Sequence, residues 1–231
     1  VVTWDMKEDR ILGRMNLPAR PDHVSMSPSG QYCVVSWAHN RELGTRAYTR
    51  DFTTPHAASA SRQPYVKLHE QSEHSDLALN KLGEDVYVAI DYQADRGDVF
   101  MVNLKTGKRT SLFPTYLSGT ATAIHFSGKA YGKPGWALVS TYGEYHASNQ
   151  ASSLRNTAMQ QWMHRKIFAV SLEENPQIRP LAHADSDSKS SWGSDAYWAE
   201  PQATVNSDFT RVLFNSTLNS NRIQDVETYM L

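Results

Sequence analysis

Only one cysteine, Cys33, stands among the 231 residues. No disulfide can form within the chain, and no zinc site built on paired thiolates. Between Tyr32 and Val34 it reads as a small buried apolar residue. Long apolar runs are also missing, and none approaches the roughly 20 residues that a membrane helix needs. Neither sign of charge dominates. The 23 Lys and Arg against 24 Asp and Glu leave a formal net charge of −1, with no long basic run. A nucleic-acid partner is therefore not expected, because phosphate binding needs a concentrated positive surface. There is no GxGxxG in a strand–turn–helix setting, no P-loop, no HExxH and no GxSxG.

What is there is globular: 40% hydrophobic, 20% charged, with 10 Pro and 12 Gly. That length supports one or two ordinary domains. The chain opens on Val1-Val2-Thr3-Trp4-Asp5 and stops at Glu227-Thr228-Tyr229-Met230-Leu231, both strand-like. This predicts a piece of a longer protein.

A repeat organises the rest. HVSMSPSGQYCVVSW (23–37), DLALNKLGEDVYVAIDY (76–92), AIHFSGKAYGKPGWALVSTY (123–142) and ATVNSDFTRVLFNST (203–217) each read as strand, polar turn, strand. A second type of segment lies between them, at 1–15, 45–52, 98–113 and 165–181, and 225–231 begins another. Aligning Met26, Leu79, Phe126 and Val205 gives steps of 53, 47 and 79 residues, the last with an insertion. Four strands per unit of about 40–50 residues predict a β-propeller blade. The fold class is all-β: a propeller of four-stranded antiparallel blades, about four to five in this chain, forming one domain over 1–231 or part of a larger propeller.

The phase of the repeat separates two faces. The strand 1–2 and 3–4 turns are mostly short. The long stretches 53–73 (part of it readable as a fourth strand), 143–164 and 182–200 all fall on the other face, the top. Long loops in a compact domain tend to carry function. Leu154, Ala158 and Trp162 recur at four-residue steps, which predicts a short capping helix within the second insertion.

Residues just before each inner strand should meet at the rim of the central channel. They are His23; Asp76 with Glu73 and His74; Ala123 with Thr120 and Thr122; and Gln202 with Glu200. Polar side chains there can hold substrate, or they can tie neighbouring blades through backbone hydrogen bonds. The second insertion adds Tyr142, Tyr145, His146, Arg155, His164 and Arg165 to that face, and the third adds Trp192, Tyr197 and Trp198. Aromatic rings with polar neighbours suit the C–H faces of sugars, or staple a loop in place.

"SMSPSGQYCVVSW", with Ser27-Pro28-Ser29-Gly30, resembles the strand–Ser-Pro-x-Gly–strand unit of TolB-like and WD40-like propellers. "EPQATVNSDFTRVLFNST" looks like a diverged copy, with Asn206-Ser207-Asp208 in place of Ser-Pro-Asp. Within that group the chain is similar to the propeller polysaccharide lyases that act on pectic oligomers or ulvan. The resemblance implies β-elimination on a uronate-containing polysaccharide or oligosaccharide. His74 or His146 would be the base, Tyr142 or Tyr145 the acid, and Arg165 the carboxylate clamp. His23, Asp76, Gln202, Trp192 and Trp198 would bind substrate. It also leaves room for a divalent metal at the top face, although Gln202 stands without a His cluster. A periplasmic or secreted location is the matching expectation. The rival reading is a non-catalytic propeller that binds a protein or glycan through the same face.

Overall fold

The computed structural model describes residues 1–38, 40–146, 161–186, 197–220 and 222–231, with the backbone alone for 143–146. Among them lie seventeen β-strands and no α-helix. The N-terminal hairpin pairs β1 (Val2–Asp5) with β2 (Arg10–Arg14). Three four-stranded sheets follow. The first holds β3 (His23–Met26), β4 (Tyr32–Ser36), β5 (Thr45–Thr49) and β6 (Tyr65–His69). The second holds β7 (Ser75–Leu79), β8 (Asp85–Asp91), β9 (Asp98–Asn103) and β10 (Arg109–Pro114). The third holds β11 (Thr120–Ser127), β12 (Trp136–His146), β13 (Lys166–Ser171) and β14 (Ile178–His183). A three-stranded sheet of β15 (Thr204–Val205), β16 (Val212–Ser216) and β17 (Glu227–Met230) ends the chain. Within each sheet the strands run in chain order and every neighbour is antiparallel. These are the blade-like sheets of a propeller-type fold.

Period-two burial on both faces explains how the blades stack. On β8, Tyr87 and Ala89 pack toward the first sheet, against Val34, Ala47 and Leu68. The alternate residues Val86, Val88 and Ile90 pack toward the third, against Ile124, Val139 and Phe168. On β12 and β13, Leu138 and Ile167 face the last sheet through Val205, Val212 and Phe214. The first sheet turns Cys33, Val35, Trp37 and Tyr48 toward Val1 and Met15, which flank the N-terminal hairpin. Cys33 is buried, as its apolar neighbours predict, and burial pushes its thiol up to about 11.

Inner strands lie side by side, β7 next to β11 and β11 next to β15. Polar side chains tie them across the gaps. Asp85 accepts the Ser29 backbone N–H at 3.1 Å and its hydroxyl, joining the turns of the first two sheets. Ser140 accepts from Ala203 N–H at 3.1 Å, and Ser127 from Val205 N–H at 3.3 Å.

The third inner strand differs from expectation: it begins at Thr120, three residues before Ala123, and its register against β12 shifts between Thr122 and Ala123. The stretch 53–73 contains a fourth strand, β6, as its sequence allowed. The expected capping helix is tested only at Trp162, which sits in a turn; Leu154 and Ala158 lie outside the described residues.

Candidate functional site

The site begins with the edge of an inner strand, β11, that lies next to β7. At Ile124, beside the register shift, the backbone turns toward β7 and needs hydrogen-bond partners. Its carbonyl accepts from His74 Nδ1 at 2.7 Å, and its N–H donates to Tyr92 Oη at 3.1 Å. Both side chains come from the second sheet, so the bonds tie one blade to the next. A carbonyl only accepts, so His74 carries its proton on Nδ1 and keeps the lone pair on Nε2.

Around this imidazole lies an aromatic cluster. The His125 ring stacks on His74 and on Tyr142, with centroids 4.5 Å apart in each case. The Tyr142 hydroxyl lies 3.2 Å from His74 Nδ1, and Tyr92 meets the His74 ring edge-on. Burial lowers the His74 pKa from its ordinary value, and the positive charge available to His125 lowers it further; the Glu200 carboxylate opposes both. His74 is thus a neutral imidazole with a basic nitrogen at neutral pH. On the other side His125 Nε2 is 2.8 Å from Glu200 Oε2, which fixes that tautomer. Glu200 follows the short turn 197–199, in the loop before β15.

Asp76 takes the structural alternative. Its carboxylate accepts from the N–H groups of Leu77 and Gly128, each at 2.8 Å, and from Lys129 Nζ at 2.7 Å. With its side chain 12% exposed, it is a clamp between β7 and the turn after β11. It still lines a recess of about 250 Å³ with His125, Lys129, Tyr197 and Gln202. On its other side it shares a smaller recess, about 60 Å³, with His23, Ser36 and Tyr87.

Of the residues singled out in the sequence, His23, His74, Asp76, Tyr142 and Gln202 gather along this rim. His23 is exposed, 3.4 Å from Asp22, and its charge bears on His74. Gln202 adopts a left-handed backbone (φ 42°) and lines the larger recess. Trp198 and Tyr197 form an edge-to-face pair at 5.4 Å and stand 63% and 53% exposed. Tyr145 and His146 end β12, opposite Ala121 and Thr120, and their side chains are outside the described set. Arg155 and Trp192 lie outside the described residues. His164 and Arg165 line a different pocket, which shares no lining residue with the recess at His125.

Tyr92, His125 and Lys129 were not singled out from the sequence. His125 was legible as the one imidazole inside the alternating run 123–127; the strand start at Thr120 hid it, placing it well inside the strand. Among the described residues no group of three or more His, Cys, Asp and Glu is placed to hold a metal ion. No helix among them is long and apolar enough to cross a membrane.

No family model matches the chain, and no curated protein does. One similar solved structure is that of Kuenenia stuttgartiensis hydrazine synthase. The likeness covers all of this chain and 77% of the other, at 8% identity and a TM-score of 0.43.

Proposed function

We propose that the chain is a carbohydrate-active propeller whose rim cluster transfers protons on a uronate-containing glycan. The observation that carries this reading is His74: Nδ1–H is committed to the Ile124 carbonyl, Nε2 keeps its lone pair, and a phenol hydroxyl stands 3.2 Å from the ring. In β-elimination the base removes the proton at C5. The released pair forms the C4–C5 double bond, the C4–O bond breaks, and an acid protonates the leaving oxygen. His74 Nε2 fits the first task and Tyr142 the second. The exposed Tyr197–Trp198 pair offers a stacking surface for the sugar.

A second reading has its own observation. Lys129, the cation among the residues lining the recess, is held by Asp76 at 2.7 Å. A uronate carboxylate would have to draw it away, whereas a neutral glycan would not. This favours a rim that binds sugar without turnover. Incubation with a panel of uronate polysaccharides separates the two. Growth of the ultraviolet absorbance of an unsaturated uronate, abolished in His74→Ala, supports elimination. Glycan binding without that absorbance, lost in Trp198→Ala, supports the binding module.

A further inference from the structure

A second pocket, about 520 Å³, has no part in that reading. It opens where the chain enters β13. His164, Arg165 and Lys166 line one wall, Trp162, Phe168 and Pro180 another, with Gln161, His183 and Asp185 completing it. Three features give it a chemical character.

First, His164 is a buried donor without an acceptor. Its Nδ1 accepts the Gln161 backbone N–H at 3.3 Å, so the proton sits on Nε2. That nitrogen is buried and has no hydrogen-bond partner among the described residues. Buried polar groups are rarely left so, because an unmet donor costs free energy. Burial, helped by the Arg165 charge, lowers the His164 pKa to about 4, so the ring is a neutral N–H donor at neutral pH.

Second, Lys166 has an imidazole as its partner where a carboxylate would be usual. Lys166 and His183 stand directly opposite each other in the β13–β14 ladder, and Nζ donates to His183 Nε2 at 2.6 Å. That contact holds the ammonium without cancelling its charge. The described lining also holds Arg165 and the Asp185 carboxylate.

Third, the pocket has an apolar wall. Trp162 meets Phe168 edge-to-face at 5.2 Å and remains 44% exposed. A cavity of this size suits a small organic ligand with a few directed polar contacts.

We infer that this pocket binds an organic oxyanion, its charged group taken by Lys166 and the His164 Nε2–H and its body laid against Trp162. The inference does not depend on the rim chemistry. Sulfate, a pure oxyanion, and galacturonate, a carboxylate on a sugar ring, are suitable probes of the two halves, with binding measured by calorimetry on the full chain.

Both probes should bind, and both should weaken by roughly tenfold in Lys166→Met, since a charge-assisted hydrogen bond is lost. Trp162→Ala should weaken galacturonate and leave sulfate unchanged. His164→Phe removes a buried group, so its effect counts only if its melting temperature matches the parent; Lys166→Met, at a half-exposed site, carries the test alone. Failure of both probes to bind, or equal affinity in the parent and Lys166→Met, overturns the proposal. Sulfate binding that depends on Lys166, with galacturonate excluded, overturns the assignment of an organic ligand.

Discussion

The His74 imidazole lies over the His125 ring with its centroid 4.5 Å away and the two planes 13° apart. Two positive charges on stacked rings repel, so charge on His125 discourages protonation of His74. Glu200 acts in the opposite sense on His74 from its place beside His125. Replacing Glu200 with Gln should therefore lower the His74 pKa further and loosen the His125 ring. Histidine NMR titration of the parent and the variant reads this directly. An unchanged or raised His74 pKa in the variant would contradict the coupling.

Acid should destabilise the fold through its buried histidines. His56, His69, His74 and His164 all lie below the ordinary histidine value, with burial the leading cause for each. A histidine with a depressed folded pKa binds its proton more tightly when unfolded, so the unfolded state gains protons first as pH falls. Stability is then fully present above the unfolded value near 6.5 and declines as pH drops toward the folded values, that of His164 being about 4. Thermal melts should show a lower midpoint at pH 5 than at pH 7. Equal midpoints would mean that these rings are hydrated in solution.

The blade clamp at Asp76 gives a stability test. Gly128 approaches β7 so closely that an added Cβ would strike the Leu77 carbonyl oxygen and come within 2.7 Å of Ala78 Cβ. Neither contact can yield without moving the strand. Gly128→Ala should cost at least about 3 kcal/mol in urea unfolding, among the larger single-residue effects. Asp76→Asn should cost less, about 1–3 kcal/mol, since Lys129 loses its carboxylate partner while one acceptor remains for the Gly128 N–H. A Gly128→Ala variant as stable as the parent would show that the inner strands can move apart.

The sequence carried the blades because their burial is periodic. Val86 through Ile90 alternate between two apolar neighbours, and a turn breaks the pattern at Gly83. The rim was legible only in part. His23, His74, Asp76 and Gln202 could be read from their places ahead of inner strands. Register was not readable, because a one-residue shift moves every side chain to the other face. The irregularity between Thr122 and Ala123 is such a shift, and His125, stacked on His74, lies just beyond it. Nor could the sequence say that Asp76 would spend its oxygens on Gly128 and Lys129, partners 52 and 53 residues away.

Variants at Tyr142 and Trp198 test whether the rim does chemistry or only attaches. The Tyr142 hydroxyl is 3.2 Å from His74 Nδ1, and the half-buried Tyr142 ring also packs against His125. Tyr142→Phe keeps the packing and removes only the proton. If the rim eliminates, this variant should retain glycan affinity and lose turnover by about a hundredfold or more, the scale of a missing general acid. Trp198→Ala should do the reverse: the ring is largely exposed, so the fold should be unaffected, while affinity falls and the rate at saturation holds. Measured together as kcat and KM, the two variants should move different parameters. Loss of affinity in both with no turnover in the parent would assign the rim to binding, and Tyr142 to holding His125 in place.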